Sequence, residues 1–429
     1  MKQILALNAF DMSAAAAQGG ALAARLQQRA RLFGAASVLF YRQPLEFVRA
    51  QGCWLYDTTG TPYLDAYNNV PSVGHCHPHV VEAATRQLGL LNIHSRYLHP
   101  GIIDYAERLM ATLPPALSNI AFTCTGSESN DLALRLAAKF TGAQGVIVTE
   151  AAYHGNTESV SMVSPSSHRH WRAPAHVRVV PAPLGQPQEF ITHVASAIDD
   201  LTLHGIKLSA LLIDSIFSSD GVCADPPGFL RAVIDAVHRH HGLFIADEVQ
   251  PGFGRTGTQW WGFQRHQVQP DIVTMGKPMG NGYPMGAVLT RPEILKSYCD
   301  EVGYFNTFSG TPVSAAVGQA VLDVIEREDL IGNAQRVGNY LRDGLTKLAS
   351  RHATITQVRG AGLYLGVQVT SAVTAESIIN ALRERRVLIG AAGRLGDVLK
   401  LRPPLCFSTQ HADTLLGALN EVLASADPE

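Results

Sequence analysis

Residues 243–250 read LFIADEVQ, and residues 271–278 read DIVTMGKP. Each is a short apolar run that stops on chemically active residues: Asp247 and Glu248 end the first, and Gly276 and Lys277 close the second. Runs of this length read as buried strands. Open α/β sheets bind their ligands at the carboxyl edge of such strands. Either segment alone is equally a solvated strand end. Two of them, one delivering a carboxylate and one a lysine to the same edge, make a shared site.

Outward from these segments the chain alternates apolar strands with amphipathic helices, the pattern of an α/β fold with a largely parallel sheet. Expected strands include Gly145–Thr149, Ala210–Asp214, Leu243–Asp247 and Ile272–Met275; expected helices include Asp131–Phe140, Pro227–His240 and Ala315–Glu326. In the first of these helices, Leu132, Leu136 and Phe140 recur every four residues and mark one apolar face. After about residue 330 the character changes. A helix over Asn333–Arg351 leads into a Gly-punctuated strand region, Val358–Val369, another helix and a strand at Val398–Leu401. These features predict a large unit over residues 71–330 and a small C-terminal α+β unit over 331–429. Residues 1–70, with a hairpin of Trp54–Tyr56 and Tyr63–Asp65, join or flank the small unit.

A chain of 429 residues that is 46% apolar and 16% charged can bury a large core. A formal charge of −2 gives no field for attracting nucleic acid or an anionic membrane. No apolar run approaches the roughly 20 residues that span a bilayer. Six cysteines without a CxxC pair argue against a disulfide framework or zinc ribbon and for a reducing, cytoplasmic setting. Near the N-terminus, Ile4–Phe10 is short for a signal core. Ala21–Phe33 carries three arginines and no acid, as a transit peptide does, but reads equally well as an ordinary amphipathic helix, the expectation adopted.

The carboxylate and lysine pair suits pyridoxal-phosphate chemistry, in which a lysine forms an imine and an acid keeps the ring nitrogen protonated. A phosphate site is then required. TCTGSESN (123–130) follows apolar Ile120–Phe122 and opens a helix. Gly126 lets the backbone approach an anion, and a helix N-terminus supplies free N–H groups. The plain alternative is a helix cap formed by Ser127 or Ser129.

Two decoys fall away. Gly252–Gly257 matches GxGxxG after a strand, but Trp260, Trp261 and Phe263 follow where a dinucleotide fold needs a helix. GHCHPH (74–79) crowds three histidines and a cysteine into spacings that point neighbouring side chains apart. It reads as a tight loop before a helix over Val80–Leu91, and no metal site is expected.

At these residues the sequence resembles the class III (subgroup II) aminotransferases of pyridoxal-phosphate fold type I. The matching marks are YLDAYNNVPSVGHCHP (63–78), TCTGSESND (123–131), AYHG (152–155), IADEVQPGFGRTG (245–257), PDIVTMGKPMGNGYP (270–284), FNTFSGTP (305–312) and LKLRPPL (399–405). They keep the family's order across nearly the whole chain. Several are similar to the branch that holds ethanolamine-phosphate phospho-lyase and alanine–glyoxylate-aminotransferase-like proteins. The resemblance implies an aspartate-aminotransferase-like fold, a large domain with a mostly parallel central sheet and a small α+β domain. It implies a Schiff base at Lys277 and a ring-nitrogen partner in Asp247. Val249 matches the residue under the ring and Gln250 the partner of the ring hydroxyl. Gly126 and Ser127 match the phosphate cup, and Tyr153 the stacked aromatic, with His154 close by. Thr307 matches a threonine that reaches the phosphate from a neighbouring subunit. A homodimer with shared sites follows, or a tetramer of such dimers.

Arg402 in LKLRPPL matches an arginine that clamps a substrate carboxylate. Its plain alternative is a structural arginine of the small domain. A phospho-lyase whose substrate lacks a carboxylate is expected to carry lysine there. Asp214-Ser215 stand where the family commonly has Glu-Pro, and Ser219 where glutamate-using members often carry a second Glu. Asp220 could pair with the clamp arginine only after a one-residue shift. Transfer of an amino group between an amine or amino acid and a 2-oxo acid, pyruvate rather than 2-oxoglutarate, is therefore the first expectation. Elimination of phosphate and ammonia from a small amino phosphate or aminophosphonate is the second. A non-enzymatic relative is disfavoured because Lys277 and Asp247 are both present.

Overall fold

The computed structural model describes residues 3–426. The terminal residues of the 1–70 and 331–429 segments, residues 1–2 and 427–429, lie outside the described residues. The first sheet begins with β1 (Phe47–Gln51), β2 (Trp54–Asp57) and β3 (Pro62–Asp65), an antiparallel meander. Asp57 caps the β2–β3 turn by accepting from the N–H groups of Thr59 and Thr61.

The large sheet comprises β4 (Asn119–Thr123), β5 (Gly145–Thr149), β6 (Val177–Val180), β7 (Leu208–Ile213), β8 (Leu243–Asp247), β9 (Ile272–Met275) and β10 (Gly286–Thr290). Its order is β4-β10-β9-β8-β7-β5-β6. Only β10 runs against the others, antiparallel to both β9 and β4. Every residue of β5, β7, β8, β9 and β10 is buried, because helices cover both faces. Alternation along each strand sorts the core into two layers. Val146, Val148, Ala210, Leu212, Leu243 and Ile245 pack on one side with Leu132 and Leu136 of the helix Gly126–Thr141. Ile147, Leu211, Ile213, Phe244 and Ala246 fill the other.

The last sheet is formed by β11 (Ile355–Ala361), β12 (Tyr364–Val369), β14 (Gly390–Ala392) and β15 (Val398–Leu401), all antiparallel in the order β11-β12-β15-β14. Between them β13 (Val387–Leu388) leaves to pair in parallel with β3, tying the N-terminal meander to the C-terminal segment. The N-terminal helix spans Gly20–Phe33 and buries Leu26 against Phe10 and Ala15 in a small separate cluster.

Several expected bounds move. The helix expected from Asp131 starts at Gly126, and that expected over Pro227–His240 spans only Arg231–Arg239. The GHCHPH helix begins at Pro78 and ends at Leu88, with proline in its first turn, where a missing N–H costs nothing. The three histidines turn to three different acids: His75 to Asp65 (2.7 Å), His77 to Glu328 (2.9 Å) and His79 to Asp323 (2.7 Å). Gly252–Gly257 forms consecutive turns. No helix among the described residues is long and apolar enough to cross a membrane.

Candidate active site

Parallel β8 and β9, paired Asp247 to Thr274, end side by side and bring Asp247 and Lys277 to one edge. Beside them the helix Gly126–Thr141 points its N-terminus at the same edge. One cavity of about 280 Å3 is lined by Gly126, Ser127, Tyr153, His154, Asp247, Val249, Gln250 and Lys277. The structure thus brings together every expected cofactor contact except Thr307.

Three buried groups fix Asp247. His154 Nδ1 lies 2.7 Å from Oδ2, Asn130 Nδ2 donates to the same oxygen at 2.9 Å, and Val249 N donates to Oδ1 at 3.0 Å. Asn130 also donates to the His154 carbonyl and accepts from Thr274 Oγ1, so it locks the whole corner. Burial pushes the Lys277 amine down to about 8; the Arg402 charge acts in the same direction, and Asp247 and Asp214 oppose it. Its backbone sits at φ +31, a conformation uncommon outside glycine.

The phosphate corner depends on glycines. A Cβ on Gly126 would lie 2.8 Å from Val249 Cγ2, one on Gly155 2.6 Å from Ser127 Oγ, and one on Gly276 2.9 Å from Gly126 N. Three loops can meet only because those side chains are absent. The helix cap is Thr125, whose Oγ1 accepts from Glu128 N at 3.1 Å, and not Ser127 or Ser129. Ser129 instead donates to the Met275 carbonyl, binding the helix to the end of β9. First-turn N–H groups have no partner inside a helix, so those of Gly126 and Ser127 are free for an anion.

Thr307 is exposed on the segment after Cys299 and does not line its own chain's cavity. Its neighbour Asn306 donates to Glu128 beside the cup at 3.2 Å. Arg402 lines an adjoining chamber shared with Tyr153, Gln250 and Lys277. Gln250 Oε1 accepts from Arg402 at 2.7 Å and from Asn69 at 2.8 Å, and the Tyr67 ring lies 4.5 Å from the guanidinium. No carboxylate among the described residues ion-pairs with Arg402. The shifted partner fails: Asp220 is held by Thr149 Oγ1 (2.7 Å) and Ala151 N (2.8 Å).

Sequence reasoning gave no role to Asn130 or Lys400, although both lie inside quoted motifs. Asp214, noted only as a departure, lines the cavity and accepts from Ile216 N and Ser218 N. Burial, then the Asp247 charge, raises its carboxyl above the usual range. Glu248, the second acid of LFIADEVQ, turns away into the core, where Ser215 and the N–H groups of Gly262 and Phe263 hold it.

An amine, a carboxylate with fixed orientation and a glycine-lined helix N-terminus at three corners of one cavity fit pyridoxal 5'-phosphate, which needs all three. Fold and site define a pyridoxal-phosphate enzyme of fold type I. The family model of class III aminotransferases matches residues 40–423, and the chain belongs to that family. Its cofactor is pyridoxal 5'-phosphate. A Drosophila melanogaster alanine–glyoxylate aminotransferase 2-like protein is 39% identical over 94% of this chain and 87% of its own. The Caenorhabditis elegans ethanolamine-phosphate phospho-lyase homolog 1 is 35% identical over 93% and 92%. Among solved structures, an Arthrobacter phospholyase in complex with phosphoethanolamine superposes with a TM-score of 0.90 at 42% identity, covering 94% of this chain and 99% of that one.

Proposed function

We propose that the chain is a transaminase moving an amino group between a small amine or amino acid and a 2-oxo acid, with pyruvate as acceptor. The observation that carries this reading is Arg402: a buried guanidinium beside Lys277, bonded to neutral Gln250 and paired with no carboxylate among the described residues. Such a fork suits a substrate carboxylate. The missing acid also removes the counter-ion that a glutamate-using site needs, which favours the shorter acceptor.

The bound cofactor supplies an electron sink for charge developing at the substrate Cα. Lys277 takes the Cα proton with its Nζ, whose lowered pKa keeps a usable fraction unprotonated near neutrality. In transamination the same Nζ delivers that proton to the cofactor side. Asp247 would hold the proton of the ring nitrogen, and His154 and Asn130 keep Asp247 in position. With the cofactor bound, Val249 and Tyr153 would hold the ring between them, Gly126 and Ser127 would take the phosphate, and Gln250, its oxygen committed to Arg402 and Asn69, would have its amide N–H left for the ring hydroxyl. Thr307 acts in the site of a second copy, so the working unit is a homodimer. The same reading assigns residues 71–330 to the cofactor-binding unit and 331–429 to the small unit, with 1–70 attached to the latter. The confinement of the seven-stranded sheet to 119–290 supports that division. Six free cysteines support a reducing, cytoplasmic setting.

A second reading, elimination of phosphate and ammonia from an amino phosphate, is favoured by Lys400, buried in the same chamber as Arg402. There Lys277 again takes the proton, and the β-substituent departs before the proton is delivered. One experiment separates the two. Holoenzyme is mixed with a panel of amines without any oxo acid, and its spectrum, ammonia and phosphate are followed together. One stoichiometric loss of the cofactor's visible band without ammonia, reversed by pyruvate, is expected. Continuous ammonia release with an unchanged band would establish elimination instead.

A further inference from the structure

Two thiols that the amine chemistry does not use meet where the N-terminal meander touches the segment after β15. Cys53, in the β1–β2 turn, and Cys406, 353 residues further along the chain, bring their sulfurs within 3.5 Å. Cys53 is 2% exposed, whereas Cys406 is only half-buried, so an oxidant reaches the pair from the Cys406 side. A glycine makes the room: a Cβ on Gly74 would lie 2.9 Å from the Cys406 sulfur. Gly74 sits at φ +107, a conformation that only glycine adopts without strain.

Arg255 supplies the charge. It is 1% exposed, and no carboxylate among the described residues ion-pairs with it. Its Nη1 donates to the Leu363 carbonyl at 3.2 Å and to the Pro403 carbonyl, while its Nη2 is buried without a partner. A buried cation with an idle N–H favours an anion nearby, and Arg255 acts on both sulfurs in the direction of thiolate. The hydrogen bond between the thiols lowers Cys406 below the usual range and raises Cys53 above it. The more accessible sulfur is therefore also the one that attacks.

We propose that Cys53 and Cys406 form an oxidisable dithiol, which hydrogen peroxide converts to a disulfide that shifts the segment leading from Arg402. This goes beyond the amine reaction and does not depend on it. The Cys406 thiolate attacks the O–O bond; hydroxide leaves and the sulfur becomes a sulfenic acid. The Cys53 sulfur then attacks the sulfenic sulfur, losing its proton and expelling water as the S–S bond forms. Two thiols and one peroxide give one disulfide and two waters. In a reducing compartment such bonds are transient and serve as sensors.

A disulfide of about 2.0 Å requires the two sulfurs to close by roughly 1.5 Å. Cys53 cannot supply that movement. Gly52 exchanges two backbone bonds with His75, and the Cys53 carbonyl accepts from Asp65 N at 2.8 Å. The stretch from Pro403 to Cys406 can. Its two prolines donate no N–H, and Leu405 N anchors it to the Ser72 carbonyl at 2.7 Å. Asn333 holds the Leu405 and Phe407 carbonyls through one side chain. Arg402 opens the same stretch, its N–H on the Ala66 carbonyl at 3.0 Å, so closure of the sulfurs is felt at the guanidinium.

The test treats holoenzyme with hydrogen peroxide, alkylates it and weighs its peptides. A cross-linked pair holding Cys53 and Cys406 is expected, separated again by dithiothreitol, before exposed Cys76 and Cys299 are modified. Hydrogen exchange at the Leu405 amide should quicken by about tenfold on oxidation, the loss of roughly one hydrogen bond, and return with dithiothreitol. Cys53→Ser should stop at a sulfenic acid on Cys406 that dimedone captures. Cys406→Ser should leave Cys53 alkylatable. Peroxide that modifies Cys76 or Cys299 while Cys53 and Cys406 stay alkylatable overturns the proposal. A cross-link that leaves Leu405 exchange unchanged overturns it as well.

Discussion

Burial places the Lys277 amine near about 8, and that value governs how the enzyme acquires its cofactor. Only the unprotonated amine attacks a carbonyl. For a lysine with this pKa roughly one molecule in ten is neutral at pH 7 and nearly all are at pH 9. An ordinary lysine near 10.5 would gain about a hundredfold over the same interval and continue rising. The sign is fixed by cause: burial and the Arg402 charge both disfavour the ammonium, so the neutral form is favoured at lower pH. In cofactor-free enzyme, the rate constant for pyridoxal-phosphate attachment should rise about tenfold between pH 7 and 9 and level off above that. A slope of one decade per pH unit that persists to pH 10 in stopped-flow absorbance contradicts the placement of Lys277.

The phosphate corner is a property of elements, because β8, β9 and one helix terminus must converge for it to exist. Gly126 sets the separation between the helix and Val249. Valine is β-branched and stiff, so an added methyl cannot be absorbed by a rotamer change. Gly126→Ala should weaken cofactor retention by about 1–3 kcal/mol, the usual cost of overpacking, with the helical circular-dichroism signal unchanged. Gly417, with open space around it in the helix Thr409–Ala426, is the control that should take alanine without loss. Retention equal to that of the unsubstituted enzyme in Gly126→Ala would remove the cup from this corner. The convergence was legible because LFIAD and DIVTM are apolar runs with their reactive residue at the end, a local signal. The helix start was less so: Gly126, Ser127 and Glu128 carry no apolar period, and the expected helix began only at Asp131. Asn130 was missed because its role is a bond to a residue 117 positions away. Lys400 was missed because alternation in VLKL reads as one lysine turned to solvent. Only the packing of the chain around Tyr67 and Gly390 turns it inward.

At the scale of the whole molecule, Thr307 is exposed and lies outside the lining of its own chain's cavity. The segments that flank it are unusually apolar for a free surface: Leu98 is 95% exposed and Phe308 76%, with Leu90 and Tyr97 nearby in sequence. Ring contacts join the two segments, with His94 5.8 Å and the Arg96 guanidinium 5.3 Å from the Phe305 ring. Asn306 ties this surface to Glu128 at the mouth of the cup. An exposed apolar patch of this kind marks an interaction surface, and a second copy of the chain fits the role proposed for Thr307. In the two-fold dimer proposed above the same patch would serve on both subunits, and each Thr307 would reach the other's phosphate. Native mass measurement should therefore give twice the chain mass. Phe308→Asp, which buries a charge at that contact, should shift the protein toward the single-chain mass. Cofactor retention should fall together with the dimer, although Phe308 lines no part of its own chain's cavity. A monomeric Phe308→Asp protein that retains cofactor as well as the parent does would show that each chain's site is complete without a second copy, and Thr307 would lose its role.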